Sequence, residues 1–522
     1  MTKKISALLI FLLLPFLLFA KEITVFHTSD THGYYFPRKV LNGKTAGGFA
    51  LLKGYLNNYN APYLLLDSGD FSAGTLEAKE SKGETSVKLM NAVGYAATTI
   101  GNHEADFKED QMLKSLKDIK FDVLAANIYN LNKLGDSIIS DLQNMSDKQN
   151  SIEDLNISSG KAQIYPDGVK PYNVYNIEGK KIAVIGIAKD PLRKSQRIKT
   201  TNGKKEIQKA LSELQNIPHD ATILLIHNSI KDEEHKNDLS TIELIKDVKG
   251  IDLVLGGHAH NILQKQYDDV QYVESGSYTE GLSKILLTFN DKTGKLTNIK
   301  AKYILLDEAK ITPDENIAKL AEENRIPNID TAIGKALEDI NIFGNRKNEL
   351  DSPIQNLLTD IIKDLAPQVD FALNNTGSAK DDILKGDITK RVVINALPFP
   401  NKVMILKAKG NFIKRLIESS ISDNLSLFQY SKEVKIQYRR ENDKTELVSA
   451  EINGQELDEN KIYTIAVNDY ITKGKSEGEM FKKIKDKEPL IDKNLSEILM
   501  DYILAKPKGI KNTKAGRIKK VR

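Results

Sequence analysis

Five short polar motifs carry side chains that could bind metal ions, and each follows an apolar run of strand length. The motifs are Asp30-Thr31-His32, Gly69-Asp70, Gly101-Asn102-His103-Glu104-Ala105-Asp106, His227 and Gly257-His258-Ala259-His260. Carboxylate and imidazole groups are common ligands of divalent transition metals. Each motif alone is also compatible with an ordinary turn or a core histidine, so only their agreement points to a site.

The histidines of the chain are placed selectively. Of the eight histidines, five lie inside these motifs, and His27 lies beside the first of them. His219 and His235 fall in polar stretches elsewhere. Ordinary core packing would not place so few imidazoles so consistently after strands, so we predict a metal site. Because the chain contains no cysteine, the ligands must come from His, Asp, Asn, Gln and Glu, and no disulfide stabilises the fold.

The elements that must position these motifs are the strands of a layered core. Seven apolar runs of strand length lead into polar residues: 23–26, 64–66, 96–100, 121–126, 182–187, 221–226 and 251–255. Segments of helical period, such as 49–56 and 87–93, separate several of them. Strands that are apolar throughout and alternate with helices predict an α/β core. In such sheets reactive groups gather at the carboxyl ends of the strands, so we expect the five motifs to converge.

A length of 522 residues exceeds what one hydrophobic core usually supports, and the pattern changes near Ala332. From there we predict an α+β domain with helices at 353–365 and 411–419. Its strands are expected at 371–373, 391–396, 403–408, 434–438 and 463–467. The predicted order of segments is a signal peptide at 1–20, a first domain at 21–305 with an insertion loop at 130–170, a linker at 306–332, a second domain at 333–505 and a basic tail at 506–522.

The first twenty residues predict export. Lys3 and Lys4 precede an apolar run from Ile5 to Phe19 that is short for a bilayer span, which is typical of a secretory signal peptide. We therefore expect a periplasmic or extracellular protein, or a membrane-anchored one if the large Leu18 prevents cleavage. The basic tail is expected to be a solvated, frayed terminus. A weak contact of this tail or of the N-terminus with the cell envelope is the alternative.

Taken together, the motifs resemble those of the calcineurin-like metallophosphoesterases and, more narrowly, those of the 5′-nucleotidase and UDP-sugar hydrolase branch. Gly47-Gly48-Phe49 and Ala125-Ala126-Asn127 add to the likeness. The similarity covers about residues 22–305 and continues more loosely to the C-terminus. It implies a layered β-sandwich flanked by helices, a second α+β domain, and activity as a metal-dependent phosphoric ester hydrolase.

The resemblance also implies two divalent metal ions, Zn, Mn or Fe, whose identity stays open. One ion would be held by Asp30, His32, Asp70 and His260. The other would be held by Asp70, Asn102, His227 and His258, so that Asp70 bridges the pair. Water activated by the two ions would attack phosphorus, and a catalytic dyad of His103 and Asp106 would stabilise the developing charge.

In the family the second domain supplies the nucleoside contacts through an asparagine–glycine loop, an arginine and two aromatic rings. The loop is kept here from Asn374 to Lys380, but Ala379 stands where the family has arginine. Six residues are the candidates for substrate contacts: Asn374, Lys380, Phe399, Asn401, Asn468 and Phe481. If Phe481 cannot take the place of the second ring, Phe399 is the remaining aromatic face, and either ring could instead belong to the core.

These features predict an exported two-metal phosphohydrolase that releases phosphate from nucleotides or related small phosphate esters. Because the base-recognition residues are altered, a phosphodiesterase or a phosphatase for sugar and other non-nucleotide phosphates is the second hypothesis. A non-catalytic binding protein on the same fold is the third, although it would not need the complete ligand set. The expected partner is a small phosphate ester, and no nucleic acid partner is expected.

Overall fold

The computed structural model describes residues 21–40, 43–130, 165–189, 197–201, 203–231, 239–342, 350–422, 427–441, 444–474, 476–513 and 516–521. The predicted signal peptide at 1–20 and most of the predicted insertion loop lie outside the described residues. The chain divides into two compact units, the first ending at Asn324 and the second beginning at Arg325 and including the short segments 39–43 and 74–76. None of the described helices combines the length and the apolarity needed to cross a membrane.

The first unit is built around two large β-sheets with helices on their outer faces, and two pairs of short strands, β2 with β3 and β7 with β11, form small sheets of their own. Its strands are β1 Lys21–Thr28, β2 Arg38–Lys39, β3 Thr45–Ala46, β4 Tyr63–Asp67, β5 Ala97–Thr98, β6 Asp122–Leu124, β7 Ile128–Asn130, β8 Val169–Lys170, β9 Tyr172–Ile177, β10 Lys180–Ile187, β11 Ile198–Thr200, β12 Ala221–Ile226, β13 Leu253–Gly256, β14 Ile262–Tyr267, β15 Val270–Ser275, β16 Gly281–Phe289 and β17 Leu296–Leu305. Its helices are α1 Phe49–Asn57, α2 Leu76–Glu80, α3 Glu84–Val93, α4 Glu109–Asp118, α5 Gly203–Leu214, α6 Thr241–Ile245 and α7 Glu315–Glu322, with a 3-10 turn at His103–Ala105.

The strands that precede the motifs run parallel to one another. The first sheet has the order β17–β16–β1–β4–β5–β6–β8, and the second has the order β14–β15–β13–β12–β10–β9. In the first sheet β1 pairs in parallel with β4, and β4 with β5. In the second, β10 pairs in parallel with β12, and β12 with β13. Because neighbouring parallel strands end at the same edge, the motifs of each sheet emerge side by side.

The core of this unit lies between the sheets and beneath the helices. Successive residues of a strand face opposite sides, so Val25 of β1 packs in one buried cluster with Val184 and Leu255 of the second sheet. Its neighbour Phe26 packs instead with Phe49 of α1. On the far side, α5 and α6 cover the second sheet. This layering of helix, sheet, sheet and helix confirms the predicted α/β sandwich.

The segment expected to link the two domains contains a helix, α7. Asp314 caps this helix, because its side chain accepts hydrogen bonds from the amides of Asn316 and Ile317. Ile317 and Ala321 are buried in the same cluster as residues of α1 and α3. Residues up to Asn324 therefore belong to the first unit.

The second unit has the predicted α+β architecture. Its strands are β18 Ala332–Ala336, β19 Phe371–Asn375, β20 Gly386–Thr389, β21 Lys402–Lys409, β22 Phe428–Tyr430, β23 Val434–Glu441, β24 Lys444–Ile452, β25 Gln455–Glu456, β26 Ile462–Asn468, β27 Lys487–Asn494 and β28 Ile518–Lys520. Its helices are α8 Pro353–Leu365, α9 Lys390–Ala396, α10 Gly410–Ser422, α11 Asp469–Thr472 and α12 Leu495–Leu504. A sheet of order β22–β19–β26–β21–β27 lies between α8 and α12 on one face and α10 on the other.

One predicted strand of the second unit is wrong, because residues 391–396 form the helix α9. The β-branched residues of this segment favour extended chain and suggested the strand. Tertiary context selects the helix instead. Thr389 caps it by accepting a hydrogen bond from the amide of Val392, and Val393 and Ala396 are buried.

The expectation of a frayed, solvated terminus is wrong for residues 516–521. Strand β28 pairs in parallel with β23, and Ile518 is fully buried. Arg517 is 8% exposed; it donates to the carbonyl of Tyr430 at 2.6 Å and to the carboxylate of Asp360 at 2.7 Å. These partners satisfy a buried cation, which explains why so basic a segment is held in the domain.

Candidate metal centre

The predicted ligands leave the carboxyl ends of adjacent parallel strands. In the first sheet Asp30 follows β1, Asp70 follows β4 and Asn102 follows β5. In the second sheet His227 follows β12 and His258 follows β13. The two sets meet, because the amide of His258 donates to the carboxylate of Asp30 at 3.0 Å. The end of the sandwich therefore gathers side chains that are far apart in the sequence.

Two clusters of potential ligands result. In the first cluster, Asp30, His32 and His260, the ligand atoms all lie within 4.8 Å of one another, and the same holds for the second cluster, Asp70, His227 and His258. Asp70 also faces the first cluster, since its Oδ2 lies 3.8 Å from His32 Nε2. The same oxygen lies 3.0 Å from His227 Nε2 in the second cluster. The structure thus brings six of the predicted ligands together, with Asp70 placed to serve both clusters.

The hydrogen bond of His227 Nδ1 leaves Nε2 aimed into the second cluster. His227 Nδ1 lies 2.6 Å from the carbonyl of Ser68, which can only accept, so Nδ1 carries the proton. His227 Nε2 is buried and lies 3.0 Å from Asp70 Oδ2. At this distance from a carboxylate oxygen, Nε2 must either carry a proton or bind a metal ion that lies between the two atoms.

His32 repeats this arrangement in the first cluster. Its Nδ1 donates to the carbonyl of Ala73 at 2.7 Å, while its Nε2 lies 3.1 Å from His260 Nε2. A ligating histidine commonly donates its other ring N–H to a backbone carbonyl, which fixes the orientation of the ring. Both clusters therefore fit divalent metal ions.

Asn102 and the charges of the site agree with this fit. Asn102 Oδ1 is buried without a hydrogen-bond partner in the described part of the chain. Burial alone would raise the pKa of Asp70, but His227 lowers it well below its usual value. Burial alone would lower the pKa of His227, but Asp70 raises it to about 10. The centre thus holds buried negative charge that divalent cations would neutralise.

The loops that carry the ligands have a strained backbone. Five ligands have positive φ angles: Asp30 (51°), His32 (48°), Asp70 (57°), His258 (78°) and His260 (58°). This left-handed region is uncommon for residues with a Cβ and costs about 1–3 kcal/mol at each position. Strain gathered at neighbouring ligands indicates that these loops are shaped for the site.

Two glycines let the loops approach one another closely. A Cβ on Gly101 would lie 2.1 Å from Asp70 Oδ1, and a Cβ on Gly257 would lie 2.3 Å from Ser29 Oγ. Real Cβ atoms essentially never come so close to another heavy atom, so a side chain at either position would push the ligand loops apart.

Glu104 organises these loops, although sequence reasoning assigned it no role beyond membership of its motif. It is 4% exposed, and its carboxylate accepts hydrogen bonds from the amides of Asp70, Phe71, Ser72 and Gly101 at 2.6 to 3.1 Å. A buried carboxylate that binds several backbone amides acts as a rigid anchor. The signal for this role was an acidic residue between the two members of the predicted dyad, His103 and Asp106.

His103 and Asp106 lie on a more open side of the centre. His103 Nδ1 lies 2.8 Å from Asp106 Oδ2, and the two side chains are 42% and 46% exposed. The ring of His103 lies 5.2 Å from that of His32. Burial alone would lower the pKa of His103, but the hydrogen bond with Asp106 and the charge of Asp70 raise it to about 9. The ring is therefore held as a cation that retains a proton on Nε2.

Two of the candidate substrate contacts, Asn374 and Asn468, are fully buried in a network of side-chain amides. Asn374 donates to Gln355 Oε1 and to Ser378 Oγ, each at 2.7 Å. Asn468 donates to Asn375 Oδ1 at 2.6 Å and also to Asn374. These bonds fix the asparagine–glycine loop from below rather than presenting the two amides to solvent.

The other candidates of the second unit have different surroundings. Lys380 and Phe399 lie together on the surface, with Lys380 Nζ 5.7 Å from the centroid of a ring that is 41% exposed. Asn401 is half-buried. Phe481 is fully buried and packs edge-on against Phe412, with ring centroids 5.1 Å apart. The structure therefore gives Phe481 a place in the core and leaves Phe399 as the exposed ring of the pair.

Comparisons with known proteins agree with this geometry. Residues 23–261 match the model of the calcineurin-like phosphoesterase family, and residues 332–483 match that of the 5′-nucleotidase C-terminal domain. The chain is 24% identical over 474 residues to endonuclease YhcR of Bacillus subtilis, covering 87% of this chain and 36% of that protein. It is 24% identical over 562 residues to the NAD 5′-nucleotidase of Haemophilus influenzae, covering 89% of this chain and 86% of the relative.

A solved structure shows the same fold. The 5′-nucleotidase precursor from Thermus thermophilus matches with a TM-score of 0.73 at 21% identity, covering 96% of this chain and 100% of that one. The chain spans 36% of the length of the Bacillus relative, about a third, but most of the length of the Haemophilus one.

Proposed function

The chain belongs to the 5′-nucleotidase family, in which a calcineurin-like phosphoesterase domain precedes a 5′-nucleotidase C-terminal domain, and we propose that it is an exported two-metal phosphohydrolase of nucleotides or related small phosphate esters. As a member of this family, the chain is a metal-dependent phosphoric ester hydrolase. The observation that carries the finer proposal is the pair of Asp/His clusters, with Asp70 in the second and facing the first, beside the pair formed by His103 and Asp106.

The ligands divide between two ions. One would be held by Asp30, His32, Asp70 and His260, and the other by Asp70, Asn102, His227 and His258. Two bound dications would supply Lewis-acid stabilisation of the phosphoryl oxygens and would lower the pKa of a water molecule. Nitrogen and oxygen ligands without sulfur suit Zn, Mn or Fe, and the choice among them stays open.

His103 and Asp106 would stabilise the developing charge and supply a proton donor at the reacting group. Because His103 Nδ1 is bonded to Asp106, its Nε2–H is the donor that can reach a phosphoryl or leaving-group oxygen. Asp106 orients the ring and favours its cationic form. Glu104, whose carboxylate binds the amides of Gly101 and Asp70, holds the loop of His103 against the loop of Asp70.

A nucleotide substrate is supported by one relative and by the surface of the second unit. The Haemophilus relative is named an NAD 5′-nucleotidase. Lys380 and Phe399 offer a cation and an exposed aromatic face, and stacking on such a face contributes about 1–3 kcal/mol per base. Esters without a base are the second candidate, because Phe481 is enclosed in the core and Ala379 stands where the family has arginine. Lys380, beside Ala379, offers only a point charge in place of a planar, bidentate guanidinium.

Export is supported by the composition of the first twenty residues. Lys3 and Lys4 before an apolar run are typical of a signal peptide. Fractionation of cells that produce the full chain, with mass analysis of its N-terminus, tests this part of the proposal. Retention of the protein in the cytoplasm would contradict it.

Metal-dependent turnover tests the catalytic part of the proposal. The purified protein is stripped with a chelator, reloaded separately with Mn, Co or Zn, and assayed for phosphate release from AMP, UDP-glucose, a cyclic nucleotide and a sugar phosphate. We expect metal-restored turnover that is fastest on a nucleotide. Turnover that is indifferent to the base would favour the non-nucleotide phosphatase, and the absence of turnover on every ester with every metal would favour a binding protein.

A further inference from the structure

His27 is fully buried in β1, three residues before Asp30, and it is not one of the predicted ligands. Its ring connects the two sheets. Nε2 lies 2.7 Å from the hydroxyl of Ser68, at the end of β4, and Nδ1 lies 2.6 Å from the hydroxyl of Ser275, at the end of β15. Both ring nitrogens are therefore bonded inside the sandwich, where no substrate would contact them.

The hydrogen bonds determine where the ring carries its proton. Ser68 Oγ also lies 2.9 Å from the carbonyl of Leu255, which can only accept, so the single hydroxyl proton of Ser68 points there. Ser68 Oγ must then accept from His27 Nε2–H. Burial lowers the pKa of His27 to about 3, so the ring is neutral, and its Nδ1 lies against the hydroxyl of Ser275, which is also bonded to Ser283 Oγ at 2.9 Å.

Ser68 transmits this constraint to the second cluster along two routes. Its carbonyl accepts from His227 Nδ1 at 2.6 Å, which sets the orientation of that ligand. Its hydroxyl holds the carbonyl of Leu255, in the strand that leads into His258. Both routes end at members of the second cluster.

The ring of His32, in the first cluster, is oriented by a different bond. His32 Nδ1 donates to the carbonyl of Ala73 at 2.7 Å, and neither His27 nor Ser68 takes part in that bond. A change at His27 should therefore reach the second cluster before the first. A histidine that served only the packing of the core would not discriminate between the two clusters.

We propose that His27 is a positioning residue: as a neutral ring protonated on Nε2, it locks Ser68 and thereby sets the affinity of the second cluster for its divalent ion. This inference rests on the proposed two-metal function, because it requires an ion in each cluster. Removing a partner that orients a metal ligand typically weakens metal binding about 10–100-fold. Since Ser68 stands between His27 and His227, we expect the lower end of that range, about 10-fold.

Direct metal binding to the full chain tests the proposal. The apo protein is titrated with Zn²⁺ by calorimetry in the presence of a competing chelator, so that two dissociation constants are resolved. In His27→Leu we expect one constant to rise about 10-fold and the other to change less than about twofold. His27→Gln, whose side-chain amide can still donate to Ser68, should bind both ions nearly as the wild type does. His219→Leu is the matched control from the same unit, since its ring is bonded to the carbonyl of Ile217 and it should change neither constant.

Ser68→Ala keeps the test decisive if His27→Leu does not fold. It removes the same link by the loss of one hydroxyl and should produce the same selective weakening. Two unchanged constants, or two that weaken equally, in the folded variants would overturn the proposal. A wild-type protein that binds fewer than two ions would contradict the two-metal function itself, and this outcome is recognised without any variant.

Discussion

Replacing Glu104 by glutamine is expected to loosen the loops of the metal centre while leaving every ligand in place. The carboxylate accepts from the amides of Gly101 at 2.6 Å and Asp70 at 3.0 Å through Oε2, and from those of Phe71 at 2.9 Å and Ser72 at 3.1 Å through Oε1. Glutamine keeps one oxygen and places an NH₂ group at the other position. In either orientation two backbone amides would therefore face a donor.

The size of the effect follows from these bonds. A hydrogen bond to a charged group contributes about 1.5–3 kcal/mol, so the loss of two lowers the free energy of opening these loops by about 3–6 kcal/mol. About 1.4 kcal/mol corresponds to a tenfold change in an equilibrium constant, so a loss of about 3 kcal/mol corresponds to a roughly 100-fold faster amide exchange. Whole domains are stable by only about 5–15 kcal/mol, so this is a large local change.

Hydrogen exchange followed by mass spectrometry measures this change directly. Peptides that cover residues 70–72 and 100–104 are compared between the wild type and Glu104→Gln, both without metal. The measurement is made at pH 8, because burial raises the pKa of Glu104 to about 7 and the carboxylate form must prevail. Glu80→Gln, at an exposed position of the first unit, is the control and should change stability by less than about 0.5 kcal/mol.

Unchanged exchange of these two peptides in a folded Glu104→Gln protein would refute the anchoring role of the carboxylate. Faster exchange spread evenly over the first unit would also refute it, because that pattern reports a loss of global stability rather than the opening of particular loops.

Four further substitutions test other parts of the structure. His103→Asn should lower kcat by about 10²–10⁴-fold with metal content unchanged, as measured by kinetics and elemental analysis, and an unchanged kcat would remove His103 from the reaction. Asp70→Asn should lose bound metal on dialysis, because Asp70 faces both clusters; full retention of two ions would contradict this. Phe399→Ala should raise KM for AMP by a factor equivalent to about 1–3 kcal/mol, with little effect on 4-nitrophenyl phosphate, and equal effects on the two substrates would argue against base stacking. Arg517→Met should destabilise the second unit by about 3 kcal/mol in thermal melts followed by circular dichroism, because it leaves Asp360 without this cation, and an unchanged melting curve would contradict the role given to this pair.

The convergence of the motifs could be predicted because it depends on a rule that needs no tertiary information. Asp30, Asp70 and His227 each come at or just past the end of an apolar run, and the ends of parallel strands share one edge of a sheet. The role of Glu104 does not follow from this rule. Its partners lie in two loops that approach one another only in the folded protein, with Gly101 making the close contact to Asp70.

Local pattern failed where tertiary contacts decide the conformation. The β-branched residues after Thr389 favour a strand, yet the cap and the burial of Val393 select a helix. The charge of Arg517 favours a solvent-exposed side chain, yet the carbonyl of Tyr430 and the carboxylate of Asp360 hold it inside the second unit. The contact of Lys380 and Phe399 with substrate stays a prediction.

The left-handed backbone at the ligand positions limits how this site could decay in evolution. Glycine adopts that conformation freely, and asparagine and aspartate tolerate it better than most residues. A descendant lineage that gave up catalysis but kept the fold would therefore be expected to show glycine or asparagine in place of Asp30, Asp70 or His258, since alanine or valine there would distort the loops. Glycine or asparagine at these positions would therefore identify relatives that have lost the metal centre but kept the fold.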